Sequence, residues 1–388
     1  MRNALVLLAL VACKKAPESA VASAAATAPT GEGAAAVLAP AKVANDARIV
    51  AALEPIREAN RVPALGAAFV DSQGLVAAGV TGVRRKRTED AAKVDDRWHL
   101  GSDTKAMTAS LAAMFVDEGL LAWDTPVGEI WPDAHLTWRA VTLEQLLHHQ
   151  SGATGNLPKD HPNIWMGMAA FGTGEPHEVR GHAVAALIGQ PLDGEPGEFV
   201  YSNGGYVVVG AMLEARGGKP WETLIQERLF EPLGMTDCGF GPPVGKQPWG
   251  HTALAGTPMD PEQPRSDNPA ALGPAGTVHC SLAAWGQFAA WHLRGARGED
   301  QLLSQAAWTH LHSPPEGGSY ADGWGVIATP EGTVLTHAGS NTMWYAEIVL
   351  APKKDGAVLV VVNEGSKRAA TASEAALRAI VELGVERP

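Results

Sequence analysis

The sequence predicts an α+β fold in which an antiparallel sheet flanked by helices is interrupted by a mostly helical lobe. Strand-like apolar runs divided by turns lie near both ends of the chain, whereas helical patterning broken by Gly/Pro-rich loops fills the middle. With 388 residues, 46% of them hydrophobic and 19% charged, the chain has room for a large folded domain. We expect that domain over residues 46–388, with an α/β lobe from residues 46–116 and 300–388 and a helical lobe from residues 117–299.

The first elements of the expected sheet lobe are a helix and a hairpin. Apolar side chains at Ile49, Leu53 and Ile56 follow helical spacing over residues 47–60. Two short apolar runs then flank a turn at residues 71–74, which is typical of a β-hairpin.

The C-terminal part of the chain supplies the remaining strands. Residues 323–365 hold strand-like runs separated by turns at residues 330–332 and 354–356, which indicates an antiparallel meander. Thr371 then lies three residues before Glu374, a capping-box pattern that predicts the start of a final amphipathic helix.

The first residues are typical of an exported protein. Residues 1–12 combine a short cationic start with an apolar run too short to span a bilayer, as in a signal peptide. The stretch LVAC resembles the lipobox of bacterial lipoproteins, which implies cleavage before Cys13 and lipidation of its thiol. A buried apolar strand is the alternative, but the Ala/Pro/Ser-rich tether over residues 13–45 could not cover it. We expect a periplasm-facing lipoprotein of the cell envelope that is bound to a membrane only through this anchor.

The charge balance and the cysteines narrow the choice of partners and compartment. Forty-two acidic against 30 basic side chains give a formal charge of -12, so nucleic acid is not an expected partner. In an oxidising periplasm Cys238 and Cys280 could pair, although two buried free thiols are an equal alternative.

Ser102 and Lys105 stand three residues apart at the start of a predicted helix, in the stretch GSDTK. Residues with this spacing share a helix face, so Lys105 could take the proton of the Ser102 hydroxyl and make it a nucleophile. Apolar neighbours would partly desolvate Lys105 and lower its pKa, and free N–H groups of the first turn could stabilise an oxyanion. The alternative is that Ser102 only caps the helix while Lys105 lies in solvent.

Two further stretches could complete a catalytic site. Tyr201 and Asn203 lie two apart before a helix, where the phenol could relay a proton if an ammonium lowers its pKa and the amide could orient a substrate carbonyl. A buried tyrosine beside a turn-forming asparagine is the alternative. His337 and Gly339 lie on a predicted strand, where the glycine would let a substrate backbone approach closely, and the Ser340 N–H could be a second oxyanion donor.

Together these stretches carry a family resemblance. Their order and rough spacing are similar to those of the serine β-lactamase and penicillin-binding-protein superfamily, on the class C branch that also holds D-amino-acid peptidases and esterases. The resemblance implies a β-lactamase/transpeptidase-like fold and an acylated Ser102, with Lys105 and Tyr201 handling its proton. It also implies that Asn203 helps to hold the substrate and that His337 lines the opposite wall.

One departure from the family bears on the substrate. Many β-lactamases have Lys-Thr-Gly where this chain has His337-Ala338-Gly339. A lysine offers a substrate carboxylate a permanent positive charge, whereas a histidine with a pKa near 6.5 offers it only part of the time. This weakens the case for β-lactam hydrolysis without excluding it.

The expected activity is serine hydrolysis of an amide or ester through an acyl-Ser102 intermediate. Cell-wall-type peptides, D-amino-acid amides, small esters and β-lactams remain open as small-molecule or peptide substrates, as does the oligomeric state. The alternatives are a non-hydrolytic penicillin-binding sensor and an envelope lipoprotein on the same fold. No cofactor or metal is implied: HEVRGH lacks the zincin spacing, and the side chains of His148 and His149 diverge.

Overall fold

The computed structural model describes residues 43–156, 174–263, 265–300, 302–385 and 387. The predicted signal peptide, Cys13 and nearly all of the tether therefore lie outside the described residues. Within the described ranges, no helix is both long and apolar enough to cross a membrane.

A six-stranded antiparallel sheet forms the centre of the molecule, and both the predicted hairpin and the predicted meander belong to it. In spatial order its strands are β2 (Gly74–Gly82), β1 (Ala64–Asp71), β11 (Gly356–Val362), β10 (Tyr345–Ala351), β9 (Gly332–Ser340) and β8 (Gly325–Thr329). Strand β11 is buried along its whole length. Its Val/Leu-rich sequence does not alternate with polar residues because both of its faces are covered.

Helices cover the two faces of the sheet. Helices α1 (Ala47–Asn60) and α11 (Lys367–Leu383) pack on one face, where Val358 and Val360 contribute to the core. Helix α9 (Leu282–Ala296) packs on the other face, so an element from the middle of the sequence completes the sheet lobe. The α+β fold is confirmed by this arrangement.

The predicted start of the last helix is wrong. Helix α11 begins at Lys367, and the Ser366 side chain caps it by accepting a hydrogen bond from the N–H of Ala369. Thr371 lies inside the helix, where its hydroxyl donates to the Lys367 carbonyl. Ser366, five residues upstream, supplies the cap, so the Thr371/Glu374 pattern is not used as one.

The remaining described elements build the part of the molecule that faces the sheet edge. Its helices are α2 (Thr104–Asp117), α3 (Val127–Ile130), α4 (Leu143–Leu147), α5 (Pro176–Ile188), α6 (Asn203–Gly217), α7 (Trp221–Ile225), α8 (Gly273–Gly276) and α10 (Gln305–His312). Its strands are β3 (Arg97–His99), β4 (Gly239–Phe240), β5 (Gly250–His251), β6 (Pro258–Met259) and β7 (Val278–Ser281). A small sheet of order β3-β7-β4 leads directly into the Ser102 segment.

The two cysteines of the domain are bonded. A disulfide joins Cys238, just before β4, to Cys280 in β7. Cys280 lies opposite Trp98 of β3, so the covalent link fastens the small sheet from which the chain enters the Ser102 turn. Of the two alternatives left open by the sequence, the structure has the paired one.

Candidate active site

Ser102 lies in a single 3₁₀ turn, Gly101–Asp103, between β3 and α2. No side chain caps this turn or the start of α2, so the Ser102 hydroxyl is not used as a helix cap. It is instead in contact with the Lys105 ammonium, one turn further along. The simple capping interpretation of Ser102 is therefore wrong.

Lys105 is completely buried, more so than the expected partial desolvation. Its Nζ donates hydrogen bonds to Ser102 Oγ (3.2 Å), Asn203 Oδ1 (2.7 Å) and the Ala275 carbonyl (2.7 Å). Burial lowers the pKa of Lys105 to about 7. A neutral amine has two N–H donors and one lone pair, so it could keep the bonds to Asn203 and Ala275 while accepting the proton of Ser102.

Asp103 is the other buried charged residue of this turn. Neither of its carboxylate oxygens has a hydrogen-bond partner. Burial, reinforced by the nearby Glu347 carboxylate, raises the pKa of Asp103 well above its usual range. Asp103 raises the pKa of Lys105, but burial lowers it by more and is the dominant influence on the lysine.

Tyr201 lies just before α6, with the Lys105 Nζ 4.8 Å from the centre of its ring and its hydroxyl hydrogen-bonded to Ser102. Its pKa is raised because the phenol is desolvated, although 37% of the residue is accessible; the bond to Ser102 only partly opposes this. The expected lowering by an ammonium is wrong. Tyr201 stays protonated near neutral pH and is suited to pass a proton on, since a phenolate would be unstable there.

Asn203 opens helix α6, whose N-cap is Ser202. Its Oδ1 accepts from Lys105, and its Nδ2 donates to Asn156 Oδ1 at 2.9 Å. Both ends of the amide are engaged within the protein. Asn203 is thus held in one orientation, which fixes the position of the Lys105 amine.

His337 lies on β9 and is buried. Its Nδ1 is 2.5 Å from the Gly323 carbonyl, so that nitrogen carries the hydrogen. Burial and, to a lesser degree, the Lys105 charge lower the pKa of His337 to about 4. The expected part-time positive charge at this wall is therefore wrong: the imidazole is neutral throughout the physiological range.

Gly339 and Ser340 occupy the end of β9, beyond the point where the neighbouring strand stops. Strand β8 pairs with β9 only as far as Thr336, and the Ser102 turn lies against the rest of β9. A Cβ on Gly339 would collide with the Leu100 carbonyl and lie 2.6 Å from the Ser102 nitrogen. The protein's own backbone therefore already requires glycine at residue 339, and the expected close approach of a substrate backbone stays a prediction.

The Ser340 N–H lies on the same side as the Ser102 turn. Gly101, with φ of +55°, is in direct contact with the Ser340 nitrogen, so a side chain at residue 101 has no room. The Ser340 hydroxyl is used elsewhere, donating to the Trp344 carbonyl at 2.6 Å. The predicted oxyanion role of its N–H is compatible with this position and stays a prediction.

The fold and site define a class of enzyme. A nucleophile, a completely buried amine with a pKa of about 7, a protonated phenol and a neighbouring backbone N–H converge at one sheet edge, as acyl transfer by serine requires. A β-lactamase family model matches residues 49–382, and the chain belongs to that family; it is a serine hydrolase.

Individual relatives give the breadth of this family. Over 288 residues, 71% of each chain, the protein is 29% identical to penicillin-binding protein 4 of Amycolatopsis lactamdurans. Two further relatives are matched over only 41% and 53% of their own length. Among solved structures, SurE superposes with a TM-score of 0.71 at 23% identity, covering 88% of this chain and 76% of SurE. A class C β-lactamase from Rhodobacter sphaeroides gives a TM-score of 0.68 at 19% identity, covering 87% and 98%.

Proposed function

We propose that the protein hydrolyses an amide or ester through an acyl-Ser102 intermediate. The observation that carries this proposal is the Lys105 amine, completely buried, 3.2 Å from Ser102 Oγ and poised between its charged and neutral forms. A base whose pKa lies near the working pH combines a useful neutral fraction with a strong enough drive to accept the proton.

The proposed reaction has two acyl-transfer steps. Neutral Lys105 accepts the Ser102 proton while Oγ bonds to the substrate carbonyl carbon, and the N–H groups of Ser102 and Ser340 stabilise the oxyanion. The Tyr201 phenol donates its proton to the leaving nitrogen or oxygen and is reprotonated from Lys105. A water molecule, deprotonated by the same groups, then attacks the acyl carbon and releases Ser102.

The neutral His337 bears on the choice of substrate. An uncharged imidazole adds little binding energy for a substrate carboxylate, such as that of a β-lactam or a D-alanine terminus. An ester or amide without a nearby carboxylate needs no positive charge there, so its binding is not weakened. We therefore propose that small esters and D-amino-acid amides are turned over faster than β-lactams. Pocket shape within residues 151–197 and 241–273 would set the remaining preference.

A slowly released acyl-serine is the second candidate. The relative from Amycolatopsis lactamdurans is named a penicillin-binding protein, so a stable penicilloyl-Ser102 deserves direct comparison with turnover. Such a protein would be acylated once and would act as a sensor. The two candidates differ only in the rate of the second step.

Labelling separates these possibilities. The protein is incubated with a fluorophosphonate and with a fluorescent penicillin, and the modified peptide is identified by mass spectrometry. We expect label on Ser102, none in Ser102→Ala, and unchanged labelling in Thr371→Ala, a hydroxyl control on the exposed side of α11. Hydrolysis of p-nitrophenyl butyrate supports the enzyme; stable label without turnover of any ester, peptide or β-lactam supports the sensor. Absence of label on Ser102 would contradict both.

We also propose that the protein is anchored at the cell envelope through lipidated Cys13. The lipobox-like LVAC stretch and the disulfide between Cys238 and Cys280 support this, since disulfides persist in oxidising compartments. Metabolic labelling with a palmitate analogue tests it. Incorporation should be lost in Cys13→Ala; equal incorporation in that variant would rule the anchor out.

A further inference from the structure

A second cluster of polar side chains, which the proposed mechanism does not use, lies behind the catalytic site. It brings together Glu144 in the first turn of α4, His148 directly after that helix, His310 of α10 and Asp322 in the turn before β8. The potential ligand atoms of Glu144, His148 and His310 lie within 4.8 Å of one another. His148 Nε2 is 3.1 Å from Asp322 Oδ1, and His310 Nε2 is 3.5 Å from Asp322 Oδ2 and 3.7 Å from Glu144 Oε1.

The buried atoms of this cluster have no hydrogen-bond partner. Asp322 is completely buried, and neither of its oxygens makes a hydrogen bond; the same holds for Nε2 of His148 and of His310. At 3.1 and 3.5 Å the two nitrogens lie within ion-pair distance of the two Asp322 oxygens. Two imidazoles and two carboxylates that converge on one point form the donor set that a divalent cation prefers, and an ion at that point would take up the nitrogen and oxygen atoms that make no close hydrogen bond.

We propose that Glu144, His148, His310 and Asp322 bind a zinc ion. Zn–N and Zn–O bonds of about 2.0–2.2 Å in a tetrahedron place neighbouring ligand atoms about 3.3–3.6 Å apart. His310 Nε2 lies 3.5 Å from Asp322 Oδ2 and 3.7 Å from Glu144 Oε1, close to that edge length, and His148 Nε2 lies 3.1 Å from the other Asp322 oxygen. Two neutral imidazoles and two carboxylates also balance the charge of Zn²⁺, which removes the cost of burying Asp322. No metal-binding motif marks these residues in the sequence because they come from three separate segments.

The surroundings support a metal rather than a chance group of side chains. The Trp123 ring stacks on His310 with centroids 3.8 Å apart and fixes the plane of the imidazole. The Glu144 side chain is 44% exposed and, with Trp123 and Thr125, lines a surface groove through which an ion could reach the site. Ligands oriented by second neighbours and an open access route are features of genuine metal sites.

The site is placed to support the catalytic wall. Asp322 immediately precedes Gly323, whose carbonyl accepts from His337 and whose Cα faces the backbone of Lys105 and Ala106. Four protein ligands leave no open position, which is typical of structural zinc. The ion would therefore fasten α4, α10 and the turn at residue 322 together and hold His337 in place.

Metal content and spectroscopy test the proposal. The full-length chain, purified without a polyhistidine tag, is equilibrated with micromolar Zn²⁺, passed over a desalting column and measured by plasma mass spectrometry. We expect about one zinc ion per chain. Replacement with Co²⁺ should give the intense visible absorption of a tetrahedral site. No retained zinc, or a Co²⁺ spectrum of an octahedral aquo type, would overturn the proposal.

Variants assign the ion to these residues. His310→Ala and Asp322→Asn should lose zinc, and the half-exposed Glu144→Gln, which should fold normally, should weaken affinity by more than the roughly 10–100-fold typical of lost outer-shell partners. The exposed His177→Ala is the matched control and should bind like the wild type. If Glu144→Gln and His310→Ala both bound zinc with the affinity of the wild type, the ion would lie elsewhere and the proposed site would be refuted. Folded protein without zinc would mean that the cluster is only a set of buried ion pairs.

Discussion

Lys105 and Asp322 are both completely shielded from solvent, but their surroundings differ. Three oxygen acceptors surround the Lys105 Nζ, whereas the Asp322 oxygens make no hydrogen bond. Burial of Lys105 can be tolerated because each of its N–H groups is used, and the remaining cost appears as a lowered pKa. The Asp322 oxygens instead lie at ion-pair distance from His148 and His310. Asp103 also has two buried oxygens without a hydrogen bond, so what distinguishes Asp322 is the cluster of His148, His310 and Glu144 beside it.

The largest expected effect on activity comes from removing the Lys105 amine. Lys105→Met should lower kcat/KM by roughly 10²–10⁴, the usual contribution of a general base, while the protein stays folded. Because the pKa of Lys105 is lowered from 10.5 to about 7 in the folded protein, the unfolded state binds the extra proton between these values. Wild-type stability should therefore rise relative to Lys105→Met from pH 7 to 9. Denaturant titrations at both pH values measure this, and parallel stabilities would contradict the lowered pKa.

The pH dependence of the wild type gives the next largest effect. Since Lys105 acts in its neutral form, kcat/KM for an uncharged ester should fall about tenfold per pH unit below 7 and level off above it. His337, with a pKa of about 4, should add no second step between pH 5 and 9. If kcat/KM instead rose with pH through a midpoint near pH 10, Lys105 would be charged at neutral pH and could not be the base.

Asp322→Asn tests the energetic cost of the buried Asp322 carboxylate. In zinc-free buffer the variant should be at least as stable as the wild type, because an amide is cheaper to bury than a carboxylate that accepts no well-aligned hydrogen bond, a difference of about 1–3 kcal/mol. With zinc the order should reverse, since only the wild type gains binding energy. Thermal unfolding with and without Zn²⁺ provides the measurement. Destabilisation of similar size under both conditions would instead indicate ion pairs with His148 and His310.

The smallest effect is expected at Asp103. Because burial and Glu347 raise the pKa of Asp103 and so favour its uncharged form, Asp103→Asn replaces it with an uncharged group of similar size. Both kcat/KM and Tm at pH 7 should stay close to wild type. A loss comparable to that of Lys105→Met would mean that Asp103 is ionised and sets the charge of the lysine.

Much of the fold could be predicted because local patterns decide it. The hairpin and the meander follow from apolar runs and turn residues, and the helix over residues 47–60 from its periodicity. The start of the final helix is wrong because Thr371/Glu374 and Ser366 are both acceptable caps in the sequence, and the structure uses Ser366. The packing of α9 on the sheet likewise depends on tertiary contacts that spacing along the chain does not encode.

The sequence patterns predicted which residues form the site, but they did not predict how deeply those residues are buried or how their pKa values are shifted. Ser102, Lys105, Tyr201 and Asn203 do come together, as their motifs indicated. The backbone carbonyl of Ala275 was missed because a carbonyl has no signature in side-chain patterns. Burial, which shifts the pKa values of Tyr201 and His337 away from expectation, is a property of the whole fold.

The contact between Gly101 and the end of β9 has a consequence for protein engineering. Backbone lies directly on backbone at Gly101 and Gly339, so the nucleophile turn is packed tightly against the sheet, while Tyr201 and Asn203 come from another part of the chain. A library that diversifies residues 241–273 to change substrate range leaves this joint intact. Randomising either glycine would mostly produce misaligned catalysts, so both codons are best held constant.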